Sequence, residues 1–239
     1  RHDLLVHADA AMYHTKSTGR NGYHFFEASM NINAHNQLQV IQDLRTALER
    51  KEFRLHYQPK FNTTDGVIVG AEALLRWQHP VRGIVAPADF ISLAEKTGLI
   101  VPIGEWVLDE ACRQMRKWYD EGYQQWKIAV NLSSVQFSND NLVEMVRETL
   151  ARNNLPAQCL MLEVTESTAM HNVEASLTIL EQLVDLGVEI SIDDFGTGYS
   201  SLLYLKRLPA TELKIDRGFI RDLAHGTDDA SIVSAIIAL

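Results

Sequence analysis

Residues 188–198 read Val188-Glu189-Ile190-Ser191-Ile192-Asp193-Asp194-Phe195-Gly196-Thr197-Gly198. The first five form a short β-branched run, with Gly187 before it and an aspartate pair after it, which is the pattern of a buried strand. Gly187 sits where a preceding helix closes in a left-handed cap. Two adjacent carboxylates at the end of an apolar strand repel each other unless a cation neutralises them. The glycine-rich loop that follows allows close approach of the backbone to a ligand.

The alternation of strand and helix repeats outward from this point. Strands are expected at Phe53–Gln58, Val67–Leu75, Ile128–Leu132, Leu160–Val164, Glu189–Asp193 and Glu212–Ile215. Helices are expected at Pro87–Thr97, Ile103–Glu121, Asn139–Asn153, Val173–Leu186 and from Asp228 onward. Pro87 and Pro102 lie near helix starts, where a missing N–H costs little. Repeated strand–helix units imply a mainly parallel sheet with buried strands. The turn-like Asn62-Thr63-Thr64-Asp65-Gly66 makes the first two strands an antiparallel hairpin. The expected fold is therefore α/β, either a barrel with one reversed strand at its beginning or an open doubly wound sheet. Upstream, Leu38, Ile41, Leu44 and Leu48 are spaced as one face of an entry helix over residues 34–50. Before it, Asp9 to Lys16 reads as a short amphipathic helix, stopped at Gly19-Arg20-Asn21-Gly22, and Tyr23 to Phe26 as a brief strand.

Polar residues fall at the strand ends. Glu72 lies toward the end of the second strand, Asn131 and Glu163 end the third and fourth, Asp193 and Asp194 end the fifth, and Lys214 lies near the end of the sixth. From Asn131 onward they recur at roughly 20–30 residues, about the length of a βα unit. In a parallel barrel all these ends open on one mouth, the face that carries the active site. Taken singly, each is as readily a helix N-cap or a solvated loop residue. Together with Glu166, the set supplies five carboxylates and one amide. These are hard oxygen donors suited to Mg²⁺ or Mn²⁺. The chemistry that needs such a set is two-metal hydrolysis of a phosphodiester, with a lysine beside the metals to orient the water or neutralise charge. His56 and His79 read as ordinary surface or packing residues.

Composition sets the frame. The chain has 239 residues, 46% hydrophobic and 22% charged, the balance of a globular protein with a sizeable core. A net charge of -9 argues against a DNA- or RNA-binding surface, so an anionic substrate would need bound cations to reverse the sign locally. Cys112 and Cys159 form no metal or staple pattern and read as reduced thiols. No signal peptide or membrane span is visible, so a cytoplasmic domain is expected. Its parent protein could still carry an upstream membrane anchor or sensor.

Seven ordered motifs, FRLHYQPK, AEALLRW, PADFISLAEKTGLI, NLSSVQF, LEVTES, DDFGTGYSSLLYL and LKID, resemble the EAL family from about residue 53 onward. Glu72-Ala73-Leu74 is the eponymous triplet. The resemblance implies a modified (β/α)8 TIM-like barrel that linearises cyclic di-GMP to pGpG with Mg²⁺ or Mn²⁺. It implies that Glu72, Asn131, Glu163 and Asp193 bind a first metal, with Asp193 bridging to a second that Asp194 helps to hold. Lys214 then stands at the catalytic water, Asp216 near it, and Glu166 steadies the loop from Asp194 onward. Gln58, Leu74 and Arg76 contact the dinucleotide, Arg76 at a phosphate. A homodimer through Phe195–Ser201 and the following helix is implied. The stretch ADAAMYHTKSTGRNGYHFF resembles the C-terminal end of a GGDEF (diguanylate cyclase) domain. Residues 1–30 thus read as its remnant, 31–50 as a linker helix and 51–239 as the EAL domain. The family's further AEGVE-like glutamate, its QGY-like glutamine and the closing barrel strands would follow Leu239. The expectation is a poorly active fragment of a competent parent. The rival functional reading is an EAL module that binds cyclic di-GMP without cleaving it.

Overall fold

Apolar spacing along the chain builds two units in the computed structural model, which describes residues 4–5, 7–8, 11–12, 15, 22–23, 25–196, 202–221 and 227–237. One unit comprises Arg1–Phe53 with Trp77–Leu99, the other Arg54–Arg76 with Ile100–Leu239.

In the first unit, helix α1 (Ala28–Ala47) buries Val40, Leu44 and Ala47, which share one helical face. The last three residues of strand β2 (Ile68–His79) pair antiparallel with β3 (Gly83–Val85), Trp77 opposite Val85 and His79 opposite Gly83. Helix α2 (Pro87–Thr97) starts on a proline and ends at Gly98, whose φ of 74° forms the left-handed cap. The rings of Phe53, Trp77 and Phe90 pack at centroid distances of 6.1, 6.1 and 5.6 Å. His79 is buried: its Nε2 lies 3.2 Å from Asp43 Oδ2, and its Nδ1 accepts from the N–H groups of Val81 and Arg82. It is a packing residue, as its sequence context suggests.

The second unit carries β1 (Phe53–Phe61), β2 up to Arg76, β4 (Lys127–Leu132), β5 (Leu160–Thr165), β6 (Glu189–Phe195) and β7 (Glu212–Ile215), hydrogen-bonded in the order β1-β2-β4-β5-β6-β7. From β2 to β7 every pair on this path is parallel. β1 returns into β2 through a tight turn in which Asn62 N–H donates to Val67 C=O, so this first strand runs opposite to the rest. Helices α3 (Ile100–Asp120), α5 (Leu142–Arg152) and α7 (Val173–Asp185) make the crossovers. Their apolar faces, for example Ile103, Val107, Ala111 and Met115 on α3, are buried. The strands between are built on buried aliphatic residues, with Leu160, Leu162, Ile190 and Ile192 fully buried. Each such aliphatic side chain contributes roughly 1.5–3 kcal/mol. This is the α/β fold of a modified TIM-like barrel with an antiparallel first strand.

Several boundaries differ from the sequence-based ones. β1 extends past Pro59 to Phe61, because an edge strand tolerates a proline. α5 begins at Leu142 rather than Asn139, because Asn139 Oδ1 accepts from Asn141 N–H and holds a turn there. α3 begins three residues early, at Ile100, with Pro102 in its first turn. The short helices α4 (Ser134–Phe137) and α6 (Glu166–His171) have no sequence-based counterpart; Ser133 and Gln136 build a capping box for the first, and Thr165 caps the second. Among the described residues, Tyr23, Phe25 and Phe26 are not in a strand. Much of the expected helix from Asp9 to Lys16 lies outside the described residues. Helices α8 (Leu202–Leu205), α9 (Arg217–Arg221) and α10 (Thr227–Ile237) flank and follow β7. Among the described residues no helix is long and apolar enough to cross a membrane. Both cysteines are buried and unpaired, and burial pushes the Cys112 thiol up to about 12.

Candidate active site

The strand register assembles the site. Asn131 stands opposite Glu163, Glu163 opposite Ser191, and Ser191 opposite Glu212, a row of side chains on one face of four parallel strands. Two residues further along β6 and β7, and therefore on the same face, come Asp193 and Lys214. β2 lies close enough to deliver Glu72 because of a glycine. A Cβ on Gly70 would sit 2.1 Å from the carbonyl oxygen of Lys127, so any larger residue would force β2 away from β4.

Lys214 is the hub. Its Nζ donates to Glu163 Oε2 at 2.5 Å, Asp193 Oδ2 at 3.0 Å and Glu72 Oε2 at 3.3 Å. Asn131 Nδ2 donates to the other oxygen of Glu72 at 2.7 Å. Thus Glu72, Asn131, Glu163, Asp193 and Lys214, gathered from five strands and 143 residues of chain from Glu72 to Lys214, meet at one point.

The aspartate pair reaches the site by a break in the sheet. Strict alternation would turn Asp194 to the opposite face of β6 from Asp193. The register shifts between Ile192 and Phe195, and Asp194 adopts φ 54°. Asp193 Oδ1 accepts the Asp194 N–H at 2.8 Å. This bulge keeps both carboxylates in one electrostatic neighbourhood. Partial burial and the charges of Asp193 and Asp216 raise the Asp194 carboxyl above its usual range. Asp216 caps the next turn, accepting from Gly218 N–H at 2.7 Å.

Glu166, buried at the start of α6, accepts from the Gly196 N–H at 2.8 Å and so holds the residue after the bulge. Gly196 has φ 98°, and a Cβ there would lie 2.8 Å from the Phe219 ring. Residues 197–201 of the expected dimer loop lie outside the described residues. On β2, Glu72, Leu74 and Arg76 alternate onto one face, and Arg76 Nη1 donates to the C=O of Leu75. Gln58 is exposed on β1, on the same face as Lys60. Among the described residues, no hydrogen bond or ion pair joins Gln58, Leu74 or Arg76 to the carboxylate cluster.

Glu163 is the least comfortable group. Its side chain is fully buried, and Oε1 accepts no hydrogen bond. Burial pushes its carboxyl up to about 7; Glu72 adds to the rise and Lys214 opposes it. Burial works against the Lys214 charge, but the hydrogen bonds and charges of Glu163, Asp193 and Glu72 outweigh it and hold the ammonium above its ordinary range. A second lysine missed by sequence reasoning, Lys60 on β1, brings Nζ to 3.8 Å from Glu163 Oε1. Its signal was its even spacing from Gln58.

An orphaned, buried carboxylate oxygen beside a mutually repelling aspartate pair fits a divalent cation, and the donors are hard oxygens as Mg²⁺ or Mn²⁺ requires. The carboxylates nevertheless converge on the Lys214 ammonium. Among the described residues no three or more His, Cys, Asp or Glu side chains are drawn together as a cage of their own.

Comparison with known proteins agrees with this architecture. Residues 41–239 match the EAL domain family. The chain is 66% identical over 239 residues to the bifunctional diguanylate cyclase/cyclic di-GMP phosphodiesterase MucR of Pseudomonas aeruginosa, a match covering 100% of this chain and 35% of that protein. It is 40% identical over 236 residues to the cyclic di-GMP phosphodiesterase PdeR of Escherichia coli, covering 99% and 35% respectively. The chain thus spans about a third of the length of these curated relatives. Among solved structures, it is similar to the PaMucR phosphodiesterase in complex with c-di-GMP, with a TM-score of 0.82 at 66% identity over 84% of this chain and 81% of that one. It also resembles the FimX EAL domain from Pseudomonas aeruginosa bound to c-di-GMP, with a TM-score of 0.75 at 28% identity over 83% and 79%.

Proposed function

The chain belongs to the EAL domain family, and from that membership we propose that it hydrolyses cyclic di-GMP to linear pGpG with Mg²⁺ or Mn²⁺. The observation that carries this reading is the convergence of Glu72, Glu163 and Asp193 on the Lys214 ammonium, with the buried Oε1 of Glu163 left without a hydrogen bond. A buried carboxylate held at such a cost, in a cluster of strand-end charges, supports a site built for chemistry. Bound divalent cations supply an acidified water and positive charge against the phosphodiester. Glu72, Asn131, Glu163, Asp193 and Asp194 are the residues that would hold them. Lys214 then orients the attacking water and offsets charge on the phosphoryl oxygens. Water adds to phosphorus, the P–O bond to one ribose 3′ oxygen breaks, and the proton passes to that oxygen. Glu166 fixes the backbone at Gly196 and so the setting of Asp193 and Asp194. Asp216 lies on the loop after Lys214. Gln58, Leu74 and Arg76 hold the dinucleotide, the Arg76 fork at a phosphate.

The same reading takes residues 1–30 as the end of a GGDEF (diguanylate cyclase) domain, a longer relative being named a bifunctional diguanylate cyclase/cyclic di-GMP phosphodiesterase, and pairs two copies through the segment after Phe195. A second reading, a receptor that binds cyclic di-GMP without cleaving it, is favoured by one feature. Lys214 already offsets part of the charge of the site carboxylates, and no self-standing cation cage stands among the described residues. Incubation with cyclic di-GMP and Mg²⁺ or Mn²⁺ separates the two. Accumulation of pGpG supports the enzyme; tight binding with no linear product at any cation concentration would leave the receptor.

A further inference from the structure

A second group of side chains adjoins the site. On β5, β6 and β7 the residue two places before each site residue faces the same way, so Met161, Ser191 and Glu212 share a face with Glu163, Asp193 and Lys214, and Ser191 and Glu212 lie level with Glu163 in the strand register. Lys60 reaches this group from the antiparallel strand β1. Its Nζ donates to both carboxylate oxygens of Glu212, at 2.6 and 2.9 Å, and lies 3.7 Å from Met161 Sδ. Glu212 Oε1 also accepts from the hydroxyl of Ser191, a residue with no exposed surface, at 2.9 Å. The clamp fixes where the Lys60 charge sits. It sits 3.8 Å from Glu163 Oε1, the atom that no hydrogen bond satisfies.

We infer that Lys60, clamped by Glu212, which Ser191 holds in turn, is a positioning residue for Glu163, fixing the Oε1 side of that carboxylate while Lys214 engages Oε2. The inference rests on the phosphodiesterase reading of the site. Its physical basis is the division of the two oxygens. Lys214 takes Oε2 in a short hydrogen bond, and a buried carboxylate with one bare oxygen needs a second source of positive charge. Lys60 is too far for a hydrogen bond but near enough to supply that charge. A purely structural ion pair would need only Glu212 and could lie anywhere along β1. Here the ammonium is turned toward Glu163 Oε1, the carboxylate oxygen that no hydrogen bond satisfies.

Three substitutions test it: Lys60→Met, which keeps the stem and removes the charge; Lys60→Arg, which keeps the charge; and Glu163→Gln. Mn²⁺ affinity is read from the electron paramagnetic resonance of free Mn²⁺, alongside kcat, KM and the thermal midpoint. Lys60→Met is expected to weaken Mn²⁺ binding about 10–100-fold, the usual effect of losing a partner of a metal ligand, and to lower kcat with KM little changed. Lys60→Arg is expected to recover most of that loss. In the Glu163→Gln background, Lys60→Met is expected to cause no further loss of Mn²⁺ affinity. Wild-type Mn²⁺ affinity in Lys60→Met would overturn the inference. So would equal losses in both backgrounds, or an effect confined to the thermal midpoint. A wild-type chain that binds Mn²⁺ tightly but yields no pGpG would instead sink the phosphodiesterase reading, and the Mn²⁺ comparison would still judge Lys60.

Discussion

At the scale of single residues, the site is a balance between buried carboxylates and the ammonium of Lys214. Glu163 makes the balance visible through pH. Its folded-state carboxyl titrates at about 7, against an ordinary 4.5. Between those values the folded protein binds more protons at this position than the unfolded chain does, so this group's contribution to stability falls as pH rises through the window. The thermal midpoint of the cation-free protein should therefore decline more steeply from about pH 4.5 to about pH 7 than that of Glu163→Gln. Parallel slopes for the two proteins would contradict it. Lys214 acts with the same sign but at higher pH. Its raised value keeps its contribution intact at neutral pH, to be lost only in the alkaline range as the ammonium titrates. Asp193→Ala removes a partner of Lys214 and the proposed shared ligand together, and turnover should fall below detection with secondary structure by circular dichroism unchanged.

At the scale of elements, close strand approach and one bulge set the geometry. Gly70→Ala places a Cβ against the Lys127 carbonyl and wedges β2 from β4, separating Glu72 from Asn131. We expect a loss of about 1–3 kcal/mol in urea unfolding, typical of overpacking, together with impaired turnover. Gly196→Ala forces a side chain into a left-handed φ and toward Phe219, and should lower both stability and activity. Most of this framework was legible in the sequence. The β-branched run ending in Asp193 and the spacing from Asn131 to Lys214 foretold parallel strands with their polar tips together. The hairpin turn at residues 62–66 foretold the reversed first strand. The bulge at Asp194 was not legible, because alternation predicts the opposite face and nothing local marks the register shift. The short helices after β4 and β5 were hidden by their length, although the capping pair Ser133 and Gln136 was there to be read. Lys60 escaped because its partner Glu212 lies 152 residues away, a relation only the folded sheet creates.

At the scale of the whole molecule, a chain of net charge -9 is proposed to take an anionic dinucleotide at a site lined with carboxylates. Cations must supply the sign reversal. Chelation by EDTA should abolish turnover and weaken cyclic di-GMP binding while leaving the circular dichroism spectrum intact. Binding unaffected by chelation would mean that the chain's own lysines and arginines carry the phosphate contacts. The carboxylates around Lys214 are proposed to form a hydrolytic centre. Incubating the protein, in its full-length setting, with cyclic di-GMP and Mn²⁺ and separating the products by chromatography tests this. Wild type should yield pGpG and Asp193→Ala none; cyclic di-GMP bound and recovered intact from the wild type would rule the hydrolytic centre out.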